Sequence, residues 1–168
     1  MRTVLSHPGL QPAQDYPCEP TPSDTSMPRF INDIIVHCTA TRAGQELTVA
    51  DIDRMHKARG WKKIGYHYVI LLDGTICRGR AISQPGAHCL GHNAHSIGVA
   101  YVGGLDADGQ PCDTRTPEQR SSLLQLLTKL TKIYHCRIHG HRDYANKDCP
   151  CFDVHVEYDG LFRQVMKI

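Results

Sequence analysis

The chain has 168 residues, of which 40% are hydrophobic and 21% are charged, and its formal net charge is +2. This size and composition predict one globular domain and argue against a chain that is disordered throughout. The net charge is too small to indicate a nucleic-acid partner, so we expect none. The apolar runs are far shorter than the roughly 20 residues needed to cross a bilayer, so we expect no membrane insertion.

The first 28 residues differ in composition from the rest of the chain. They contain six of its ten prolines, mixed with Ser, Thr, Gln and Asp. They lack the apolar periodicity that would offset the entropy lost on ordering. We therefore expect a flexible leader at residues 1–28 and the folded domain at residues 29–168. The first ten residues lack the continuous apolar core of a secretory signal, which predicts synthesis in the cytoplasm.

Short apolar runs rich in β-branched residues predict five strands. They lie at residues 31–38, 66–72, 75–78, 96–102 and 136–139. The Asp73-Gly74 pair between the second and third runs is typical of a hairpin turn. We expect these strands to form one central sheet.

Three segments predict helices. They follow Thr48, Thr116 and Asp153, residue types whose side chains accept hydrogen bonds at helix amino termini. The helices are expected to end near Arg59, Tyr134 and Arg163. Strands and helices together predict an α/β fold, a single domain with a central mixed β-sheet flanked by helices.

Histidine and cysteine residues provide candidate metal ligands at both ends of the domain. His37 ends an apolar strand, although a lone histidine at such a position is more often satisfied by backbone or water. Further candidates follow at His139, His141, Cys149 and Cys151. Zinc accepts two imidazoles and one thiolate and leaves a fourth position for water, and His37, His141 and Cys149 match that count. A closed structural site made by the four later residues is an alternative that spacing alone leaves open.

Four segments occur in an order and spacing that resemble a known family. They are IVHCTAT at 35–41, GYHY at 65–68, SIGV with VGG at 96–104, and GH with KDCP at 140–150. Together they resemble the type 2 N-acetylmuramoyl-L-alanine amidases, which include phage enzymes and are similar to the peptidoglycan-recognition proteins. The resemblance covers roughly residues 31–155.

The resemblance implies a hydrolase that uses zinc (Zn2+) as its cofactor. Its substrate would be the amide bond between N-acetylmuramic acid and the L-alanine of the peptidoglycan stem peptide. By position it implies His37, His141 and Cys149 as the metal ligands. Tyr66 matches the active-site tyrosine of the family, and Lys147 matches the catalytic lysine of its phage-type members.

The resemblance also implies where the substrate lies. His88, Asn93 and Ser96 belong to a segment that lines the substrate groove in the family. Arg142 and Asp143 follow the second predicted ligand, and we consider them candidates to orient its imidazole.

The remaining expectations concern the biological setting. Retention of Cys149 favours an endolysin-like enzyme over a recognition module that binds peptidoglycan without cutting it, because such binding does not require the metal. We expect a monomer whose partner is peptidoglycan and which acts on the bacterial cell wall after release or export from the cell. Without a signal segment, its eight cysteines are expected to be thiols or metal ligands.

Overall fold

A computed structural model describes residues 29–167 of the chain. The elements are β1 (Asp33–Cys38), β2 (Thr41–Arg42), α1 (Val49–Ala58), β3 (Tyr68–Ile70), β4 (Ile76–Arg78), β5 (Ser96–Tyr101), β6 (Gly104–Leu105), α2 (Pro117–Tyr134), β7 (Arg137–Gly140) and α3 (Val154–Val165), with short 3₁₀ helices at Asn93–His95 and His141–Asp143. The predicted leader lies outside the described residues.

One five-stranded sheet forms the centre of the fold. Its strand order is β4-β3-β5-β1-β7, and a separate two-stranded sheet pairs β2 with β6. β3, β5, β1 and β7 run parallel, whereas the edge strand β4 is antiparallel to β3. The predicted mixed sheet flanked by helices is therefore confirmed.

Helices cover both faces of this sheet. Ile34 and Val36 of β1 pack in one apolar cluster with side chains of α2 and α3, such as Leu127. A second cluster joins α1 to the opposite face, where Ile52 packs with Val69 of β3. Because side chains alternate along a strand, His37 points to the face opposite Ile34 and Val36.

The predicted helix starts are confirmed. Thr48 and Thr116 each form a complete capping box. The threonine side chain accepts a hydrogen bond from the backbone N–H of the third helical residue, and the side chain of that residue accepts one from the backbone N–H of the threonine. The Asp153 side chain accepts from two backbone N–H groups at the start of α3. α3 runs two residues beyond the expected end, to Val165.

The strand limits are less well predicted. The strand expected at 66–72 is shortened to Tyr68–Ile70, because the chain turns at its end, where the Gly74 N–H donates to the Leu71 carbonyl at 2.9 Å. The small sheet of β2 and β6 was not predicted, because each of its strands has only two residues. Such short strands leave no periodic pattern to recognise.

The described residues contain no helix long and apolar enough to span a membrane. The seven cysteines among them are all free.

A buried arginine links α3 to the segment before α2. Arg115 has no exposed side-chain surface and forms paired hydrogen bonds with Asp113 at 2.9 Å and with Glu157 at 2.7 and 3.0 Å. Its guanidinium carbon lies 3.3 Å from the centre of the Phe152 ring. The arrangement satisfies a desolvated charge by hydrogen bonds and by the aromatic face.

The Arg115→Met variant should lower the free energy of unfolding by about 3 kcal/mol, because it retains apolar contact with Phe152 but leaves Asp113 and Glu157 with only the half-exposed Arg120 as a cation. Urea denaturation measures the loss. Arg120→Met is the matched control, since Arg120 contacts the same Asp113 with a side chain that is 46% exposed. It should change stability by less than about 1 kcal/mol. Equal losses in the two variants would contradict a special role of the buried cation.

Candidate active site

The parallel strands end at one edge of the sheet, and the candidate ligands lie there. β7 ends at Gly140, which pairs with Val36 of β1. His141 therefore follows β7 at the level of His37, and the two ring centres lie 4.5 Å apart. The carboxyl ends of parallel strands are the usual location of binding sites in α/β folds.

Cys149 completes a group of three. Its Sγ lies 3.9 Å from His37 Nδ1 and accepts a hydrogen bond from the Cys38 N–H at 3.2 Å. One ligand atom from each of His37, His141 and Cys149 lies within 4.8 Å of the other two. The Arg142 N–H donates to the Cys149 carbonyl at 2.8 Å, and this hydrogen bond closes the loop between His141 and Cys149.

A chain of hydrogen bonds determines which nitrogen of His37 is free. The Ser96 hydroxyl donates to the His92 carbonyl at 2.8 Å, so its oxygen accepts from His88 Nε2 at 3.2 Å. His88 Nδ1 is then an acceptor, and His37 Nε2 donates to it at 2.9 Å. His37 Nδ1 retains its lone pair and is the nitrogen that faces Cys149.

The electrostatic surroundings keep the imidazoles uncharged. Burial lowers the pKa of His37 well below its ordinary value, and the neighbouring His88, His141 and Lys147 act in the same direction. Burial and then the charge of Lys147 also lower the pKa of His141. Neutral imidazole is the form that binds a metal ion, so the two histidines suit that role.

Tyr66 lies beside the group of three. Its ring centre is 5.2 Å from that of His37. Burial, followed by the nearby Cys149 and Cys38, raises the pKa of Tyr66, so the phenol stays protonated and can donate a hydrogen bond. Lys147 is exposed on the loop between His141 and Cys149, and its charge reaches both imidazoles.

His56 supports Tyr66 and was not recognised from the sequence as a residue of the site. Its ring centre lies 5.2 Å from that of Tyr66, and its Nδ1 accepts the Gly65 N–H at 2.9 Å. His56 is buried on the inner face of α1 with Val49 and Ile52. A polar side chain within that apolar stripe was the available signal.

The three residues expected along the substrate groove are in direct or indirect contact with His37. His88 and Ser96 are both buried and belong to the hydrogen-bond chain behind it. Asn93 is half-buried, and its Oδ1 accepts the backbone N–H groups of His88 at 2.8 Å and Cys89 at 3.0 Å. Asn93 thus holds the backbone that carries His88.

The alternative closed site is not assembled. His139 Nε2 lies 3.4 Å from Asp33 Oδ1, and Cys151 Sγ lies 3.9 Å from Cys38 Sγ. Asp143, considered above as a residue that orients the second ligand, has its Oδ2 2.8 Å from His155 Nε2. The structure thus brings together the ligand set that the family resemblance implied.

Sequence and structure comparisons agree with this geometry. The family model described as N-acetylmuramoyl-L-alanine amidase matches residues 27–152. An endolysin of Klebsiella phage KP32 is 43% identical over 122 residues, which cover 72% of this chain and 81% of the endolysin.

Two solved structures extend the similarity to the fold. The N-acetylmuramoyl-L-alanine amidase LysC from Clostridium intestinale superposes with a TM-score of 0.66 at 32% identity, covering 83% of this chain and 87% of LysC. The peptidoglycan-recognition protein PGRP-LB of Drosophila superposes with a TM-score of 0.60 at 25% identity, and the match covers 71% of this chain and 74% of PGRP-LB. With the matched family model and these relatives, the chain belongs to the N-acetylmuramoyl-L-alanine amidase family.

Proposed function

We propose that this chain is a zinc-dependent, endolysin-like amidase that cleaves the bond between N-acetylmuramic acid and the L-alanine of the peptidoglycan stem peptide. The observation that carries the proposal is the convergence of His37, His141 and Cys149 within 4.8 Å at the carboxyl edge of a parallel sheet. Family membership supports the choice of substrate.

The donor set is suited to zinc. Two neutral imidazoles and a thiol sulfur are ligands that zinc binds readily, and three protein ligands leave a position open to solvent. His37 is buried, whereas His141 and Cys149 are half-buried, so the group can be reached from outside. When bound, zinc supplies Lewis acidity for the scissile carbonyl and activates water near neutral pH.

The residues beside the ligands have separate tasks in this proposal. Lys147 provides a positive charge toward the oxyanion that develops as the amide carbonyl is attacked. Tyr66 is protonated and donates a hydrogen bond to the attacking water or to the same oxyanion. His56 packs against Tyr66 and fixes its position.

Substrate contact by His88, Asn93 and Ser96 stays a prediction. The buried hydrogen bonds of His88 and Ser96 support a role in orienting His37. Action as a monomer on the bacterial cell wall, after release or export, also belongs to the proposal, as does a leader at residues 1–28.

Incubation with purified peptidoglycan tests the activity. Wild-type protein should release stem peptides beginning with alanine, identified by mass, and a zinc chelator should stop the release until zinc is restored. Cys149→Ser should reduce the release to the level of the chelated enzyme, because it removes the thiolate. Cys112→Ser changes an exposed cysteine and should retain full activity. Zinc-loaded protein that binds peptidoglycan but releases nothing would instead indicate a recognition module.

Variants of the two neighbouring residues test their tasks. Tyr66→Phe and Lys147→Gln should each lower kcat by about 10²-fold or more, which is typical of removing one donor to a developing oxyanion. Bound zinc, measured by elemental analysis, should not change. Lys129→Gln, at an exposed lysine of α2, is the control for Lys147 and should leave kcat unchanged. Wild-type kcat in either site variant would remove that residue from the mechanism.

Ser96→Ala tests the hydrogen-bond chain behind His37. Without the hydroxyl, His88 Nε2 loses its acceptor, and the tautomer that exposes His37 Nδ1 is less favoured. Zinc affinity, measured by competition with a chromophoric chelator, should fall about 10-fold, the lower end of the effect of residues behind a ligand. Ser121→Ala, on the exposed side of α2, should leave the affinity unchanged. If wild type and Ser96→Ala bind zinc with equal affinity, the hydrogen bonds through His88 and Ser96 do not orient His37.

A further inference from the structure

A second group of potential ligands lies at the outer edge of the sheet. One atom each from His139, Asp143 and His155 lies within 4.8 Å of the other two. We propose that these three side chains bind a second divalent metal ion of the zinc class. This site does not depend on the proposed amidase activity and shares no ligand with the group at His37.

Three different elements bring these side chains together. His139 belongs to β7 and alternates with the buried Ile138 and Gly140, so it points away from the apolar cluster under α2 and α3. Asp143 ends the 3₁₀ helix after β7, and its Oδ2 accepts the Gly140 N–H at 2.8 Å. His155 lies in the first turn of α3.

Both imidazoles are oriented in the same way. His155 Nε2 lies 2.8 Å from Asp143 Oδ2, and its Nδ1 lies 3.0 Å from Asp159 Oδ1. His139 Nδ1 lies 3.7 Å from Asp143 Oδ2, and its Nε2 lies 3.4 Å from Asp33 Oδ1. Both rings thus direct one nitrogen to Asp143. The other nitrogen faces Asp159 in His155 and Asp33 in His139.

This double arrangement is the one that metal-binding histidines typically show. A carboxylate that accepts the N–H of one ring nitrogen leaves the other nitrogen with its lone pair and directed to the metal. Asp159 and Asp33 fill that role for His155 and His139. Two imidazole nitrogens and one carboxylate oxygen form a three-ligand set that zinc accepts, with water in the fourth position.

The local charge also favours a cation. Three carboxylates surround two imidazoles. Two arginines oppose them, since Arg163 lies 3.8 Å from Asp159 and the charge of Arg137 acts on His139. Within residues 29–167, Asp33 and Asp143 form ion pairs with histidines, with no lysine or arginine within 4 Å. Asp159 and Asp143 raise the pKa of His155, so a divalent ion bound there would compensate this charge by replacing the proton of that ring.

An ion can reach the group from solvent. The side chains of His139, Asp143 and His155 are 19%, 25% and 43% exposed. His139 and His155 also line a cleft of about 370 Å³ together with Asp159 and Phe162. The cleft provides the entry path that a metal site requires.

Binding there would connect α3 to the loop of the first metal group. Asp143 follows His141 by two residues, and the His141–Cys149 loop is closed by the Arg142 to Cys149 hydrogen bond. An ion held by Asp143 and His155 would tie the start of this loop to the first turn of α3. We therefore assign the second ion a structural role.

The zinc content of full-length variants tests the proposal. After zinc loading at pH 8 and removal of free metal by gel filtration, wild-type protein should retain two ions per chain. Cys149→Ser and His155→Gln should each retain one, and the double variant none. His95→Gln, at an exposed histidine outside both groups, should behave as wild type.

Cobalt identifies which site is filled. The site with Cys149 should show a thiolate-to-cobalt absorption band, which His155→Gln should preserve and Cys149→Ser should abolish although one cobalt ion is still bound. A single ion in wild type that is lost in Cys149→Ser and unaffected by His155→Gln would overturn the second site and leave the amidase proposal intact. Unchanged zinc content in Cys149→Ser, with loss in His155→Gln, would contradict the first site alone.

Discussion

The parallel pairing of β1 with β5 on one side and β7 on the other is the interaction on which the structure depends. β1 is the strand between them, and its residues Ile34, Ile35 and Val36 are fully buried. The register that pairs Val36 with Gly140 places His37 next to His141. A slip by one residue would turn His37 toward α2 and α3 and separate the two imidazoles, so burial of both faces of β1 also determines the geometry of the active site.

The two histidine groups are held by different chemistry. Behind His37 the partners are a second imidazole, a hydroxyl and a backbone carbonyl, all of them uncharged. Around His139 and His155 the partners are carboxylates. Uncharged partners behind His37 leave more of the positive charge of a bound ion available to polarise a substrate, whereas carboxylates neutralise it. This contrast agrees with a catalytic role for the first group and a structural role for the second.

Much of the fold could be predicted because its signals are local. The threonine caps of α1 and α2 and the apolar run of β1 each lie within a few consecutive residues. Prediction of the ligand set required the family resemblance, because sequence spacing alone did not distinguish His37 from His139 as the partner of His141. The contact of His155 with Asp143 and the use of His88 behind His37 were not predicted, since both depend on how distant segments pack. Sequence periodicity identifies the buried face of an element but not its neighbour across the sheet.

The separation of the ligands along the chain has a consequence for the timing of activity. His37 and Cys149 are 112 positions apart, and the last two ligands follow β7, which is the last strand of the sheet in the sequence. A chain emerging from the ribosome can form β1 and α1 early, but it has no complete ligand set until β7 is inserted beside β1. Contacts between such distant segments require closure of a long loop, which slows their formation. Truncated translation products that stop before Cys149 would therefore lack the ligand set that the proposed hydrolysis requires.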